Sequence, residues 1–138
     1  MAEGDVLFVD VVAADRRIWE GEALSVIART SEGDIGILPN HEPLLAVLVP
    51  CAAEVLTADG KRELIAIDEG FISVADNRVA LLTQYGRLAH EISLPEAERE
   101  FWDARKKREL GDTSEETRQH HDRARAQIAV ARKAQQAS

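Results

Sequence analysis

The sequence predicts a mainly β protein with an α-helical appendage: an N-terminal ten-stranded β-sandwich followed by a C-terminal antiparallel two-helix hairpin. Three observations carry this. From Val6 to about Ala89, short apolar runs are separated by turn signals at the close spacing of an all-β sandwich or barrel. After Ile92 the apolar residues recur at helical spacing instead. The charge also changes there: residues 1–94 carry 7 basic and 16 acidic side chains, and residues 95–138 carry 10 and 9. A chain of 138 residues has room for one ordinary domain or a small one with an appendage, so the boundary is drawn between a sandwich over 1–90 and a hairpin over 91–138.

In order, the candidate strands are Val6–Ala13, Ile18–Glu20, Ala23–Thr30, Ile35–Leu38, Leu44–Val49, Ala52–Thr57, Lys61–Asp68, Gly70–Val74, Arg78–Thr83 and Tyr85–Ala89. Ser31-Glu32-Gly33-Asp34, Ala58-Asp59-Gly60 and Ala75-Asp76-Asn77 tolerate turn geometry and predict three hairpins. In Ala23–Thr30, Leu24, Val26 and Ala28 alternate with Ser25, Ile27 and Arg29, the pattern of a half-buried strand. Val6–Ala13 and Arg78–Thr83 are apolar on both faces, which means either cover on each side or a surface reserved for a partner. In the helical part, Leu94-Pro95 with Glu96, Glu98 and Glu100 suits a first turn, where the missing proline N–H is harmless and acids meet the positive dipole end. Arg105-Lys106-Lys107-Arg108 load the last turn and Gly111 ends it. Asp112-Thr113-Ser114 with Glu115-Glu116 open a second helix running to about Ala134. The stripes that join the helices, Ala97, Phe101 and Ala104 against Ala124, Ile128 and Ala131, are thin, so the hairpin is expected to detach readily.

Composition excludes several functions. Met1 to Asp15 holds Glu3, Asp5, Asp10 and Asp15, unlike the basic, apolar start of a signal peptide. The longest nearly apolar run, Leu44 to Ala53, is interrupted by Pro50 and falls well short of the roughly 20 residues that span a bilayer. The lone Cys51 cannot form an internal disulfide and reads as a small core residue. A net charge of −8 argues against nonspecific nucleic-acid binding. The four histidines, His41, His90, His120 and His121, include no pair at metal-binding spacing, and no Walker, dinucleotide or nucleophile-elbow motif is present. No metal site and no cofactor-binding motif is therefore supported, while a catalytic constellation assembled from distant residues stays open on the residues alone. Asp68 and Glu69, adjacent in a strand pattern, are expected to face opposite sides of a sheet.

The informative segment is Gly33-Asp34-Ile35-Gly36-Ile37-Leu38-Pro39-Asn40-His41-Glu42-Pro43-Leu44-Leu45: a turn, a short strand, a loop fixed by two prolines and a new strand. It resembles the G-x-x-G-x-x-P-x-H-x-P-L signature of the epsilon subunits of bacterial F-type ATP synthases and matches it at every position. Trp19, Gly21, Gly70-Phe71 and Asn77 with Val79, Leu81 and Leu82 add to the match, which covers residues 5–110. The resemblance implies a ten-stranded sandwich and two-helix hairpin in the rotor, with no catalytic site of its own. It implies contact of the sandwich with the gamma subunit and with the polar loops of the c-ring, at the cytoplasmic face of the cell membrane and without crossing it. By position, Asp34 corresponds to a residue facing the c-ring and His41 to a loop histidine near gamma. The doubly apolar strands nominate Val9 and Leu81 as gamma contacts.

The sequence also departs from the family pattern. An ATP-binding I/L-D-x-x-R-A motif reads here Ile92-Ser93-Leu94-Pro95-Glu96-Ala97, with serine and glutamate in place of aspartate and arginine, so nucleotide binding is expected to be weak or absent. Cys51 stands for the glycine of L-x-P-G, and Glu69 for the first glycine of G-G-F. From Arg118 onward, Arg118, Arg123, Arg125, Arg132 and Lys133 face only Asp122, a local balance of +4. The resemblance implies an inhibitory tail that meets acidic segments of the alpha/beta catalytic head. Two other readings compete on the residues alone: a stand-alone ligand-binding sandwich with a dimerisation tail, and a small hydrolase using His41 with Asp34 or Glu42.

Overall fold

The computed structural model describes residues 5–137; the first four residues, Glu3 among them, and Ser138 lie outside the described residues. Nine strands are followed by two helices: β1 Leu7–Ala13, β2 Arg17–Thr30, β3 Gly33–Ile37, β4 Leu44–Leu48, β5 Cys51–Thr57, β6 Arg62–Ile67, β7 Gly70–Ala75, β8 Arg78–Thr83 and β9 Gly86–Leu88, then a 3-10 turn at Ala89–Glu91, α1 Leu94–Glu109 and α2 Glu115–Ala137. The hydrogen-bonded order runs β1-β8-β7-β4-β2-β5-β6-β9, with β3 on β2. β1 also pairs with β2, so the long β2 belongs to both layers and closes the sandwich.

Ten strands become nine because Ile18–Glu20 and Ala23–Thr30 are one strand of 14 residues. The expected break at Gly21-Glu22 is absent, and a register shift between Ala23 and Ser25 lets the strand bend from β1 toward β5. This bulge also changes the side-chain phase, so Leu24 is 38% exposed while Ala23, Val26 and Ala28 are buried. The three predicted hairpins all form, β2–β3, β5–β6 and β7–β8, each antiparallel. At the last, Asp76 and Asn77 take left-handed backbone with φ of 50° and 62°, the geometry that Asp and Asn tolerate in tight hairpin turns. β1 and β8 run parallel, Phe8 to Ala13 beside Arg78 to Thr83.

The main core lies between the layers and is filled by branched side chains, among them Leu7, Val11, Val26, Ile37, Leu48, Val55, Ile65, Ile67, Ile72 and Leu81. Gly70 is required where β7 passes β8, since a Cβ there would sit 1.8 Å from the Leu82 carbonyl oxygen. A second, smaller core joins the outer face of β6 to α2, with Leu64 and Ala66 against Ala126 and Val130 and with Ala52, Ala89, Ile92 and Ala134 at its margin. The helix stripe expected from the sequence is buried as well, at Ala97, Ala104, Ala124 and Ala131. α2 therefore buries two faces, one on α1 and one on the sandwich, so it is held more firmly than its interhelical stripe implies.

The helix ends are specified locally. Ser93 caps α1, its side chain accepting from the Glu96 N–H. At the other end the Asp112 N–H donates to Lys107 O and the Gly111 N–H to Arg108 O, with Gly111 at φ 98°, the paired bonds of a Schellman stop. Asp112 then accepts from the Ser114 N–H at 2.8 Å and from the Thr117 hydroxyl at 2.8 Å, while the Thr117 N–H donates to Ser114 Oγ. These bonds hold the Asp112 carboxyl down at about 2.

Candidate functional site

Among the described residues, no helix packs over the outer face of the layer formed by β1, β8, β7 and β4. Register places Val12 beside Leu82, Leu82 beside Phe71, and Phe71 beside Val47, an apolar row across four strands. Phe71 is 52%, Leu82 48% and Val47 47% exposed, with Leu45 and Phe8 on the same side. Arg78 lies over the Phe8 ring at 5.7 Å. Alternation along a strand is what creates this face, and it corrects the nominated pair. Val9 and Leu81 are 2% and 0% exposed and point into the sandwich core, so neither side chain can meet a partner. Their neighbours Phe8 and Leu82 are the outward residues, because successive side chains point to opposite faces. Both phases of these strands are apolar, so local sequence could not tell inside from outside.

Asp34 lies near the start of β3, and His41 lies in the loop four residues beyond its end. Asp34 is exposed and paired across the hairpin with Arg29 at 2.7 Å, which holds its carboxyl below the usual range. His41 is half-buried in the loop after β3, and its Nδ1 lies 2.7 Å from the Glu42 main-chain oxygen. That loop is tied to the β7–β8 turn: the Asn40 N–H donates to Asn77 Oδ1, and Asn77 Nδ2 donates to Asn40 Oδ1 at 3.2 Å. Asn40 Nδ2 donates to Asp5 at 2.7 Å. Among the described residues, His41 thus forms no hydrogen bond or ion pair with the carboxylate of Asp34 or of Glu42.

The tail cations divide into three groups. Arg118 meets Glu115, Glu69 at 2.8 Å and Asp122 at 3.1 Å, and the Glu115 and Glu69 carboxylates push its pKa further up. Arg123 meets Asp68 at 3.0 Å and lies 4.1 Å from the centre of the Tyr85 ring. Arg132 reaches Glu98 of α1 at 3.7 Å. Arg125 and Lys133 line a cavity of about 480 Å³ between α2 and the sandwich, with Arg29, Asp34 and Cys51 on its other side. Cys51 is half-buried, and burial pushes its thiol up. The expectation that Asp68 and Glu69 face opposite ways fails, because they occupy the turn between β6 and β7, where strand alternation ends, and both reach α2. Of the degraded nucleotide motif, Ser93 is a helix cap, Glu96 is exposed in the first turn, Ile92 touches the smaller core and Ala97 is buried in the hairpin.

The fold and this surface define a class: a β-sandwich with one exposed apolar face, polar loops at its ends and a helical hairpin packed against its other layer. The β-sandwich domain model of the ATP synthase delta/epsilon chain matches residues 6–86. An ATP synthase epsilon chain of Cutibacterium acnes is 47% identical over 135 residues, covering 91% of this chain and 92% of that protein. Another from Streptomyces avermitilis is 48% identical over 112 residues, covering 81% and 88%. This chain belongs to the ATP synthase epsilon chain family. The fold agrees with a chain in the cryo-EM structure of Euglena gracilis mitochondrial ATP synthase, OSCP/F1/c-ring in rotational state 1, at TM-score 0.74 and 24% identity over 98% of this chain and 86% of that one. A chain in the Tetrahymena thermophila mitochondrial ATP synthase central stalk and c-ring gives TM-score 0.52 at 14% identity, over 93% and 95%.

Proposed function

We propose that this chain is a rotor subunit in the central stalk of a proton-translocating ATP synthase, where residues 1–90 join the gamma subunit to the c-ring and residues 91–138 restrain ATP hydrolysis at the alpha/beta head. It catalyses no bond chemistry; its contribution is binding. It works at the cytoplasmic face of the membrane, reached through the c-ring, and no helix among the described residues is long and apolar enough to cross a bilayer. The observation that carries the reading is the bare row Val12, Leu82, Phe71 and Val47, on a chain of this family. A flat apolar face flanked by polar edges fits a permanent partner, and gamma is that partner. Asp34, on an exposed hairpin end away from this face, is assigned to the c-ring loops, and His41 to the rim of the gamma contact.

The test replaces Phe71 or Leu82 by Asp, outward positions where a charge leaves the sandwich core intact. With the fold checked by circular dichroism, binding to gamma should weaken by at least roughly tenfold, since an unpaired charge at an interface centre is costly. Unchanged affinity in both variants would overturn the assignment.

A further inference from the structure

We propose that the β6–β7 turn and Tyr85 form a latch on α2: Asp68, Glu69 and Tyr85 hold Arg118 and Arg123 against the sandwich, and those two cations become available to any other acidic surface only when this contact opens. The contacts stand independently of the brake described above; only the consequence for hydrolysis rests on that reading.

The receiving side is built rigidly. The Thr83 side chain, 6% exposed as a residue, donates to Glu69 O at 3.2 Å and Tyr85 O at 3.1 Å and accepts from the Asp68 N–H at 3.1 Å. The Asp68 N–H lies 3.1 Å from Tyr85 O as well, and the Gln84 N–H donates to Glu69 O. One threonine thus ties the main chain of Asp68, Glu69 and Tyr85 together, so their side chains leave from the same corner. Arg87, itself donating to Gly86 O at 2.8 Å, lies 4.1 Å from the Tyr85 ring centre, so the ring is steadied from within the sandwich.

The arriving side is α2. Asp68 and Arg123 have side chains only 13% and 28% exposed, so this pair is screened little by salt and each group is left costly if the other is removed. Arg118 and Glu69 are 40% and 47% exposed, a weaker, salt-sensitive partner contact. Two of the five tail cations are therefore paired with acids of the sandwich while α2 is docked, and Arg123 depends on that pairing most, because Arg118 also keeps Glu115 and Asp122 of its own helix. Below them the apolar contact is small, chiefly Ala126 and Val130 on Leu64 and Ala66, so the ionic corner is a large share of what orients the helix.

Cys51 supplies a native reporter, since it pairs with Ile67 next to the latch and lines the same cavity as Ala129 and Lys133 of α2. In the full chain, Asp68→Asn and Arg123→Gln should each raise the rate of Cys51 alkylation roughly tenfold, the size expected for a charge-assisted, half-buried contact. The double variant should be no faster than the faster single one, because both remove the same bond. Arg118→Gln should raise the rate about twofold, an effect that high salt mimics in the unaltered chain. Amide exchange in β1 and β8 reports whether the sandwich is intact; if Asp68→Asn disturbs it, Arg123→Gln and Arg118→Gln decide. An unchanged Cys51 rate in Arg123→Gln, or additive effects in the double variant, would overturn the latch. ATP hydrolysis by the assembled enzyme separates the two ideas: faster alkylation with unaltered hydrolysis sustains the latch and removes the brake.

Discussion

At the residue scale, the direction of a side chain decides more than its type. Phe71 and Ile72 are adjacent and both apolar, yet one is 52% exposed and the other 0%. Phe71→Asp is accordingly expected to keep the thermal midpoint close to the parent while gamma binding falls, whereas a charge at Ile72 should unfold the domain. Gly70 and Gly86 make a second contrast. A Cβ at Gly86 would press on the end of the Ile18 side chain, which can rotate, but at Gly70 it meets main chain. Gly70→Ala should therefore destabilise the sandwich by about 3 kcal/mol and Gly86→Ala by clearly less, measured by urea denaturation. Equal losses would show that β7 can move away from β8. Only glycine suits position 70, while position 69 carries a glutamate without conflict and uses it to hold Arg118.

At the scale of elements, the hairpin turn is a self-contained device. Ser114 caps α2 by accepting from the Thr117 N–H, and Asp112, just after the Schellman stop of α1, braces that cap by accepting from the Ser114 N–H and the Thr117 hydroxyl. Its carboxyl is depressed from 3.8 to about 2, so its contribution to folded stability is fully present above pH 3.8 and is lost as the pH falls through about 2. Helical ellipticity followed from pH 5 downward should show a component in that window. Asp112→Ala should remove this component and leave the remaining acid transition in place. A titration identical in parent and variant would mean that the cap does not govern α2. The smaller core makes the companion prediction: Val130→Asp should lift α2 and expose Leu64 and Ala66 while the sandwich, with a separate core, still melts cooperatively.

For the whole molecule, the proposed function sets the compact hairpin against a tail reaching toward the catalytic head, the two competing for the same cations. Removing residues 111–138 should raise ATP hydrolysis by the assembled enzyme without loss of subunit association. Arg123→Glu with Arg125→Glu should reproduce part of this, more visibly at low salt because exposed charges are screened. Arg125 has no carboxylate within ion-pairing distance among the described residues, so its replacement leaves the docked state nearly unchanged and reads the distant contact more cleanly than Arg123. If the truncated enzyme assembles and hydrolyses ATP at the full-length rate at every salt concentration, this tail is no brake. Nucleotide adds one more expectation: with Ser93 used as a cap and Glu96 presenting a carboxylate where a phosphate would need a guanidinium, calorimetry on the isolated chain should find no saturable ATP binding below about 100 μM.

The linear sequence by itself determined what depends on near neighbours: the sandwich followed by a hairpin, the three tight turns, the first turns of both helices, the Gly111 stop and the motif around His41. Each rests on backbone preferences or hydrogen bonds reaching only a few residues, and those are written locally. Tertiary structure alone decided which face of β1 and β8 is bare, that β2 is one bent strand, and that Asp68 and Glu69 meet arginines some fifty positions away. A strand apolar on both sides carries no parity signal, and a bulge shifts phase without a distinctive residue. Ion pairs across such separations arise only when packing of α2 on β6 brings the two segments to one corner.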